Sequence, residues 1–182
     1  STEWHATPNG VYRGVVPLGF EAGLRSLDIR DIITSRTGQV WVATAGGVHQ
    51  WVDDRFEPWQ TGGGFPAANA ILTDRENRIW VATDAGLFVY NGVEFNEIDG
   101  LPDTPVLDLD LSSDGTLRVL FEDEVYRRIA VETFESEGYS GMGLENANQV
   151  ITLADGRVLI SSLTNGLFVH HPNGTLSHHT TD

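Results

Sequence analysis

The chain has 182 residues and carries 26 acidic against 11 basic side chains, for a formal net charge of −15. Such a surface repels phosphate backbones and anionic membranes, which argues against nucleic-acid binding and membrane association. It contains no cysteine, which excludes a disulfide framework, a zinc–thiolate centre and a cysteine nucleophile. Hydrophobic residues at 40% and charged residues at 20% suit one folded domain of ordinary size. No run approaches the roughly 18 apolar residues of a membrane span. The first residue is Ser1 rather than Met, so the chain is expected to be processed or cut from something longer.

Taken in chain order, Asn9-Gly10-Val11-Tyr12-Arg13 reads as a strand with a glycine before it. Phe20 and Leu24 suit the end of the next strand and its exit loop, so residues 1–26 are predicted as a partial blade. Residues 27–66 contain the phrase Thr-Gly-Gln-Val-Trp-Val-Ala-Thr-Ala-Gly-Gly-Val at 37–48. Residues 67–103 repeat it as Glu-Asn-Arg-Ile-Trp-Val-Ala-Thr-Asp-Ala-Gly-Leu at 76–87. This second unit predicts four strands: 70–73, 79–83, 87–90 and 93–98. The β-branched and aromatic content favours strands, and Asn91-Gly92 is a hairpin turn signal because both residues tolerate positive φ. Residues 104–144 form a diverged unit, with strands over 117–121 and 125–129 around Glu122-Asp123-Glu124. Residues 145–182 form a last unit that closes with Gly166-Leu167-Phe168-Val169 and the turn Asn173-Gly174.

Self-similarity at a fixed period fixes the architecture before any single element does. Gly38, Asn77, Gly115 and Gly156 are equivalent turn positions, 39, 38 and 41 residues apart. Three residues later come Trp41, Trp80, Arg118 and Leu159. Four short antiparallel strands in about 40 residues make one β-propeller blade. The predicted fold is therefore all-β, with about four and a half blades of four antiparallel strands. The repeated residues read as structural: Gly47, Gly86 and Gly166 for tight turns, Trp41 and Trp80 for packing between blades. Thr44 and Thr83 are expected to bond the turn backbone.

The phrase at 38–48, echoed at 77–87, resembles the two-component-regulator propeller repeat. Residues 27–98 match it well. Residues 148–176 match with Leu159 for Trp and Ser161-Ser162 for Ala-Thr, and residues 106–134 match weakly. The resemblance implies a seven-bladed propeller in the extracytoplasmic, periplasmic or extracellular, sensor region of a histidine kinase or diguanylate cyclase. It also implies polysaccharide fragments as one class of signal. Seven blades would need about 270 residues by the repeat arithmetic. The arc is thus expected to be part of a larger ring, to be completed by association with further copies, or to close as a small ring.

Propellers carry function on loops around the central channel, since a rigid scaffold positions them. Aligning the units places Arg30-Asp31, Asn69-Ala70, Leu107-Asp108 and Asn148-Gln149 at the mouths of the innermost strands, with Asp110 alternating with Asp108. Arg30, Asp31, Asn69, Asp108, Asn148 and Gln149 are the candidate ligand-binding residues, a polar ring suited to a carbohydrate or other small polar ligand. A water-filled channel lined for solvation is the competing reading. The loop Thr61-Gly62-Gly63-Gly64-Phe65-Pro66 lacks the lysine and helix of a phosphate loop and reads as a rim. Phe65 and Tyr139 are candidates either to stack on a ligand or to pack between blades.

His170-His171 and His178-His179 flank one turn, but neighbours on a strand point to opposite faces, so no metal site is predicted. No cofactor is expected. The carboxylates of Asp53-Asp54 and Glu122-Asp123-Glu124 are expected to be solvated in hairpin turns. No nucleophile elbow or zinc-protease helix appears. The sequence thus predicts a non-enzymatic ligand- or protein-binding module. The alternatives are a lyase or glycosidase using Asp31, Asp108 and Asp110, and a self-assembling propeller fragment.

Overall fold

The computed structural model describes residues 3–7, 9–59 and 64–180. The Ser1 terminus and the Thr61-Gly62-Gly63 part of the glycine-rich loop lie outside the described residues. The chain runs through five antiparallel sheets in sequence order. The first has three strands, β1 (Trp4–Thr7), β2 (Gly10–Arg13) and β3 (Val16–Leu18), followed by a 3-10 turn at Phe20–Ala22. The second holds β4 (Ile29–Thr34), β5 (Val40–Thr44), β6 (Gly47–Val52) and β7 (Arg55–Pro58). The third holds β8 (Ala68–Thr73), β9 (Ile79–Thr83), β10 (Gly86–Tyr90) and β11 (Phe95–Glu97). The fourth holds β12 (Asp108–Leu111), β13 (Leu117–Leu120), β14 (Val125–Ala130) and β15 (Thr133–Ser136). The fifth holds β16 (Ala147–Thr152), β17 (Val158–Ser162), β18 (Gly166–His170) and β19 (Leu176–His179).

Local chemistry sets these hairpins. Gly38, Asn77, Gly115 and Gly156 all adopt positive φ in the turn between the first two strands of their sheets. Asparagine tolerates that region better than other side chains, which is how Asn77 stands in for glycine. At the next turn Thr44 Oγ1 donates to the Gly47 carbonyl (3.0 Å), and Thr83 Oγ1 to that of Gly86 (2.8 Å). Thr7 repeats this bond to the carbonyl of Gly10 (3.0 Å). Trp4-His5-Ala6-Thr7 is thus a further copy of the Trp-x-Ala-Thr phrase, and the first sheet begins one strand earlier than the sequence suggested. Its last strand ends at Leu18, so Phe20 lies in the 3-10 turn rather than in a strand.

Two turns differ from expectation. At Asn91-Gly92 only the glycine has positive φ, because Asn91 Oδ1 accepts bonds from the amides of Val93 and Glu94 (2.9 and 3.0 Å). The hairpin with two left-handed residues is instead Asp53-Asp54, at φ 48° and 61°. Glu124 is not solvated: it is 7% exposed. Its carboxylate accepts bonds from the amides of Val125, Tyr139 and Ser140 and from Ser136 Oγ. A buried acceptor with four donors satisfies backbone that a glycine turn arranges elsewhere.

The core is a series of joints. Four buried clusters each join consecutive sheets, and none joins the fifth to the first among the described residues. Trp41 and Trp80, both fully buried, fill the second–third and third–fourth joints. The first strands lie side by side, β4 on β8, β8 on β12 and β12 on β16. They form the inner line of the array.

Candidate functional site

Three of the four inner strands, β4, β8 and β16, start with the same irregularity. The pairing register shifts between Ile29 and Asp31, between Ala68 and Ala70, and between Ala147 and Gln149. The extra residues are Arg30, Asn69 and Asn148. A bulge leaves its extra residue outside the ladder and re-aims its side chain. All three came from the predicted ring, and the fourth equivalent position holds Leu107. Arg30 donates to Asn69 Oδ1. Asn69 Nδ2 donates to the Val106 carbonyl (2.8 Å) and to Asp84 Oδ1 (3.0 Å), reaching from the third sheet to the fourth. Asn148 Oδ1 accepts from Ser161 Oγ (2.9 Å) within the fifth sheet. Gln149 is exposed.

The aspartates of the same ring work between sheets. Asp31 Oδ2 accepts from the Ile71 amide (3.0 Å), Asp108 Oδ2 from that of Val150 (2.8 Å) and Asp110 Oδ2 from that of Thr152 (3.0 Å). Each bond ties one inner strand to the next. Burial pushes Asp108 up to about 6, against the pull of its bonds to the Val150 and Leu109 amides; the charges of Asp31 and Asp110 add to the rise. Burial also raises Asp31 and Asp110 above the ordinary carboxylate value. These groups are partly desolvated acceptors already engaged by backbone, which suits bracing better than proton transfer.

Two cavities open at the joints on either side of the fourth sheet. One, of about 610 Å3, lies at the mouth between the fourth and fifth sheets, beside Leu107 and the turn at Glu122-Asp123. The other, of about 490 Å3, opens at the far end of the third–fourth joint beside Arg78 and Arg128. There the charges are already spent on one another. Asp74, fully buried, accepts from Trp80 Nε1 (2.8 Å), Arg78 (2.7 Å) and Arg128 (3.2 Å). Burial alone would raise Asp74, but the bonds from Trp80, Arg78 and Arg128 hold it below its ordinary value.

The remaining sequence candidates sit in the joints. Phe65 packs on Phe88 and Phe95 (5.2 and 5.1 Å between ring centroids), and Tyr139 is 2% exposed with its hydroxyl on His170 Nδ1 (2.8 Å). His178 stacks on Phe168 and meets the Asn165 carbonyl, while His171 meets Ser177. Among the described residues no group of three His, Cys, Asp or Glu is placed to hold a metal ion. The inter-sheet role of the aspartates was missed from sequence, although their alternation in Asp108-Leu109-Asp110 on an inner strand was a signal.

No protein-family model matches the sequence, and no curated protein matches it. Solved structures do match. The extracellular domain of BT3049 of B. thetaiotaomicron, described as a hybrid two-component system, superposes with a TM-score of 0.74 at 19% identity. That match covers 93% of this chain and 26% of BT3049's. The extracellular domain of BT4673, described as a one-component system of the same organism, gives 0.71 at 17% identity over 85% of this chain and 22% of that one. Virginiamycin B lyase of Staphylococcus aureus gives 0.71 at 11% identity over 87% of this chain and 57% of the enzyme. The chain thus spans about a quarter of the length of the two extracellular domains. No helix is long and apolar enough to cross a membrane among the described residues. The five sheets have the β-propeller blade fold that the extracellular domains of BT3049 and BT4673 share with a lyase.

Proposed function

We propose that this chain is part of a non-enzymatic β-propeller sensor, placed outside the cytoplasm, that binds a carbohydrate or other small polar ligand on its mouth face. The observation that carries this reading is the likeness to extracellular domains described as two-component and one-component systems. The bulged side chains of Arg30, Asn69 and Asn148 support it, since they set polar groups at a rim held by rigid strands, with Asn69 tied into the rim and Arg30 and Asn148 Nδ2 able to donate outward. Oligosaccharide panels read by thermal shift test it. A hit should weaken at least tenfold in Asn69→Ala and Asn148→Ala. No hit with any sugar leaves the reading without its ligand.

The likeness to a lyase favours an enzymatic alternative. It would draw on Asp31, Asp108 and Asp110, whose oxygens already accept backbone amides. Self-association is proposed on a separate ground. Gln149, Ile151, Leu159, Ser161, Leu167 and Val169 share the outer face of β16–β18, and Ile151 there is 43% exposed. The corresponding face of the third sheet carries Leu72, Trp80, Leu87 and Val89 and is covered by the fourth sheet. Light scattering on the purified chain tests this: a strict monomer at all concentrations removes it.

A further inference from the structure

The 610 Å3 mouth cavity is built from the places where the repeat departs from its own template. In the second and third sheets the turn before the third strand is Ala45-Gly46 and Asp84-Ala85. In the fourth sheet it is Glu122-Asp123, and both side chains are exposed on the cavity wall. In the fifth sheet the same turn is one residue longer, and Leu163 stands on it 76% exposed. The position that aligns with Arg30, Asn69 and Asn148 is here Leu107, just before β12, where the pairing shows no register shift. Glu145, from the loop that enters the fifth sheet, completes the rim. Next to it Asn146 sits at φ 58°, a backbone conformation that costs free energy for a residue with a Cβ. Three departures from the template, at Leu107, at Glu122-Asp123 and at the longer turn with Leu163, thus meet around one space. The Glu145 loop is braced on that longer turn, with Ser162 Oγ donating to the Glu145 carbonyl (2.7 Å) and Asn165 Nδ2 to that of Gly143 (2.7 Å).

The chemistry of the lining is specific. Leu107, Leu163, Pro105 and Ala147 give an apolar floor and wall. Among the described residues Glu122, Asp123 and Glu145 form no ion pair, although most of the arginines do, and no arginine lines the cavity. Glu145 Oε2 accepts from Asn165 Nδ2 (2.9 Å). The chain has no lysine. Carboxylates that no cation neutralises, beside a low-dielectric wall, focus a negative potential and favour a positive group whose stem the wall can cover.

We propose that this cavity binds a small organic cation, an amine or guanidinium carried on an apolar stem. The proposal rests on the reading of the mouth face as the ligand-binding face and replaces its neutral polar ligand by a charged one at this joint. The test is calorimetric titration of the chain at low ionic strength with phenethylamine and agmatine, and with phenethyl alcohol as the neutral match. The amines should bind, bind more weakly at high salt, and lose at least tenfold in affinity in the triple variant Glu122→Gln/Asp123→Asn/Glu145→Gln. Leu163→Ser should weaken phenethylamine more than agmatine. All four side chains are exposed, so circular dichroism should show the variants folded. Equal binding of the alcohol, unchanged amine binding in the triple variant, or no amine binding would each overturn the proposal. Oligosaccharide binding that depends on Asn69 and Asn148, without amine binding, would overturn this inference alone. No binding of sugar or amine would remove both readings.

Discussion

The third and fourth sheets put different residues at one position of the blade, Trp80 and Arg118. Trp80 is fully buried, with Arg78 and Arg128 each 5.3 Å from its ring centroid and its Nε1 on Asp74. Arg118 instead makes a two-pronged bond to Glu137 (2.9 and 3.1 Å) and a third to Thr152 Oγ1 (2.9 Å). Both Arg118 and Glu137 side chains are 12% exposed. An aromatic joint gains from area removed from water, whereas an ionic joint must first repay desolvation. The ionic joint is also the one with the mouth cavity and the exposed Leu163. The same scaffold tolerates both solutions because the strands, not the joint residues, set the blade.

Five measurements break or sharpen that contrast. The largest effect is expected for Asp74→Ala, which leaves the Trp80 indole N–H and the amides of Glu76 and Arg78 without their acceptor and leaves Arg78 and Arg128 only Glu76. It should cost about 3–5 kcal/mol in urea unfolding, since buried donors and two guanidinium groups lose their shared acceptor. Next comes Arg118→Met, at about 3 kcal/mol, while Arg118→Met with Glu137→Met should return to within about 1 kcal/mol of the parent. A double variant as damaged as the single would show that the ionic joint is not exchangeable for an apolar one.

The third concerns His49, fully buried in the first–second joint, where its Nε2 accepts from the Arg25 amide (3.1 Å). Burial lowers it to about 4 from 6.5. The folded state therefore holds it neutral, and its contribution is present above pH 6.5 and lost as pH falls towards 4. At roughly 1.4 kcal/mol per pKa unit this is about 3–4 kcal/mol. A His49→Phe variant should be weaker at pH 7.5 yet flatter in stability between pH 6.5 and 4.

The fourth runs the other way. Asp108 is raised to about 6 in the fold from 3.8, so its favourable share is present below pH 3.8 and lost as pH rises through 6. Asp108→Asn should stabilise the fold at pH 7.5 by about 1 kcal/mol after solvent screening, read by urea unfolding, and the gain should vanish near pH 4. The smallest effect lies at an exposed turn. Asp53→Asn with Asp54→Gly suits the left-handed hairpin better and should stabilise by about 0.5 kcal/mol; the exposed Arg13–Asp54 pair it removes contributes little. A loss of stability there would mean that the aspartates hold more than the turn.

Strands were legible wherever apolar alternation and turn chemistry agreed, as in Ile79–Thr83, because period and propensity are local. The Trp4-His5-Ala6-Thr7 copy went unread because His5 replaces the usual valine and little chain precedes it. Glu124 looked like solvated charge since its four donors come from 1 to 16 residues away, a set that only the folded hairpins bring together. The ring positions were placed by counting, but their bulges depend on pairing register, which no single strand encodes. The mouth cavity was hidden for the same reason: Leu107, Glu122, Glu145 and Leu163 come from four separate connections.

The bulges at Arg30, Asn69 and Asn148 carry a consequence for how such a protein changes over time. Each of these residues lies outside the strand ladder, so its identity is uncoupled from the pairing beside it. The bonds from Asp31, Asp108 and Asp110 meet main-chain amides, which every residue but proline supplies. Where Asp31, Asp108 and Asp110 make the link, the neighbouring strand can change its side chains and still supply the contact. Between the third and fourth sheets Asn69 takes over that task through the Val106 carbonyl, so there the rim residue is itself part of the architecture.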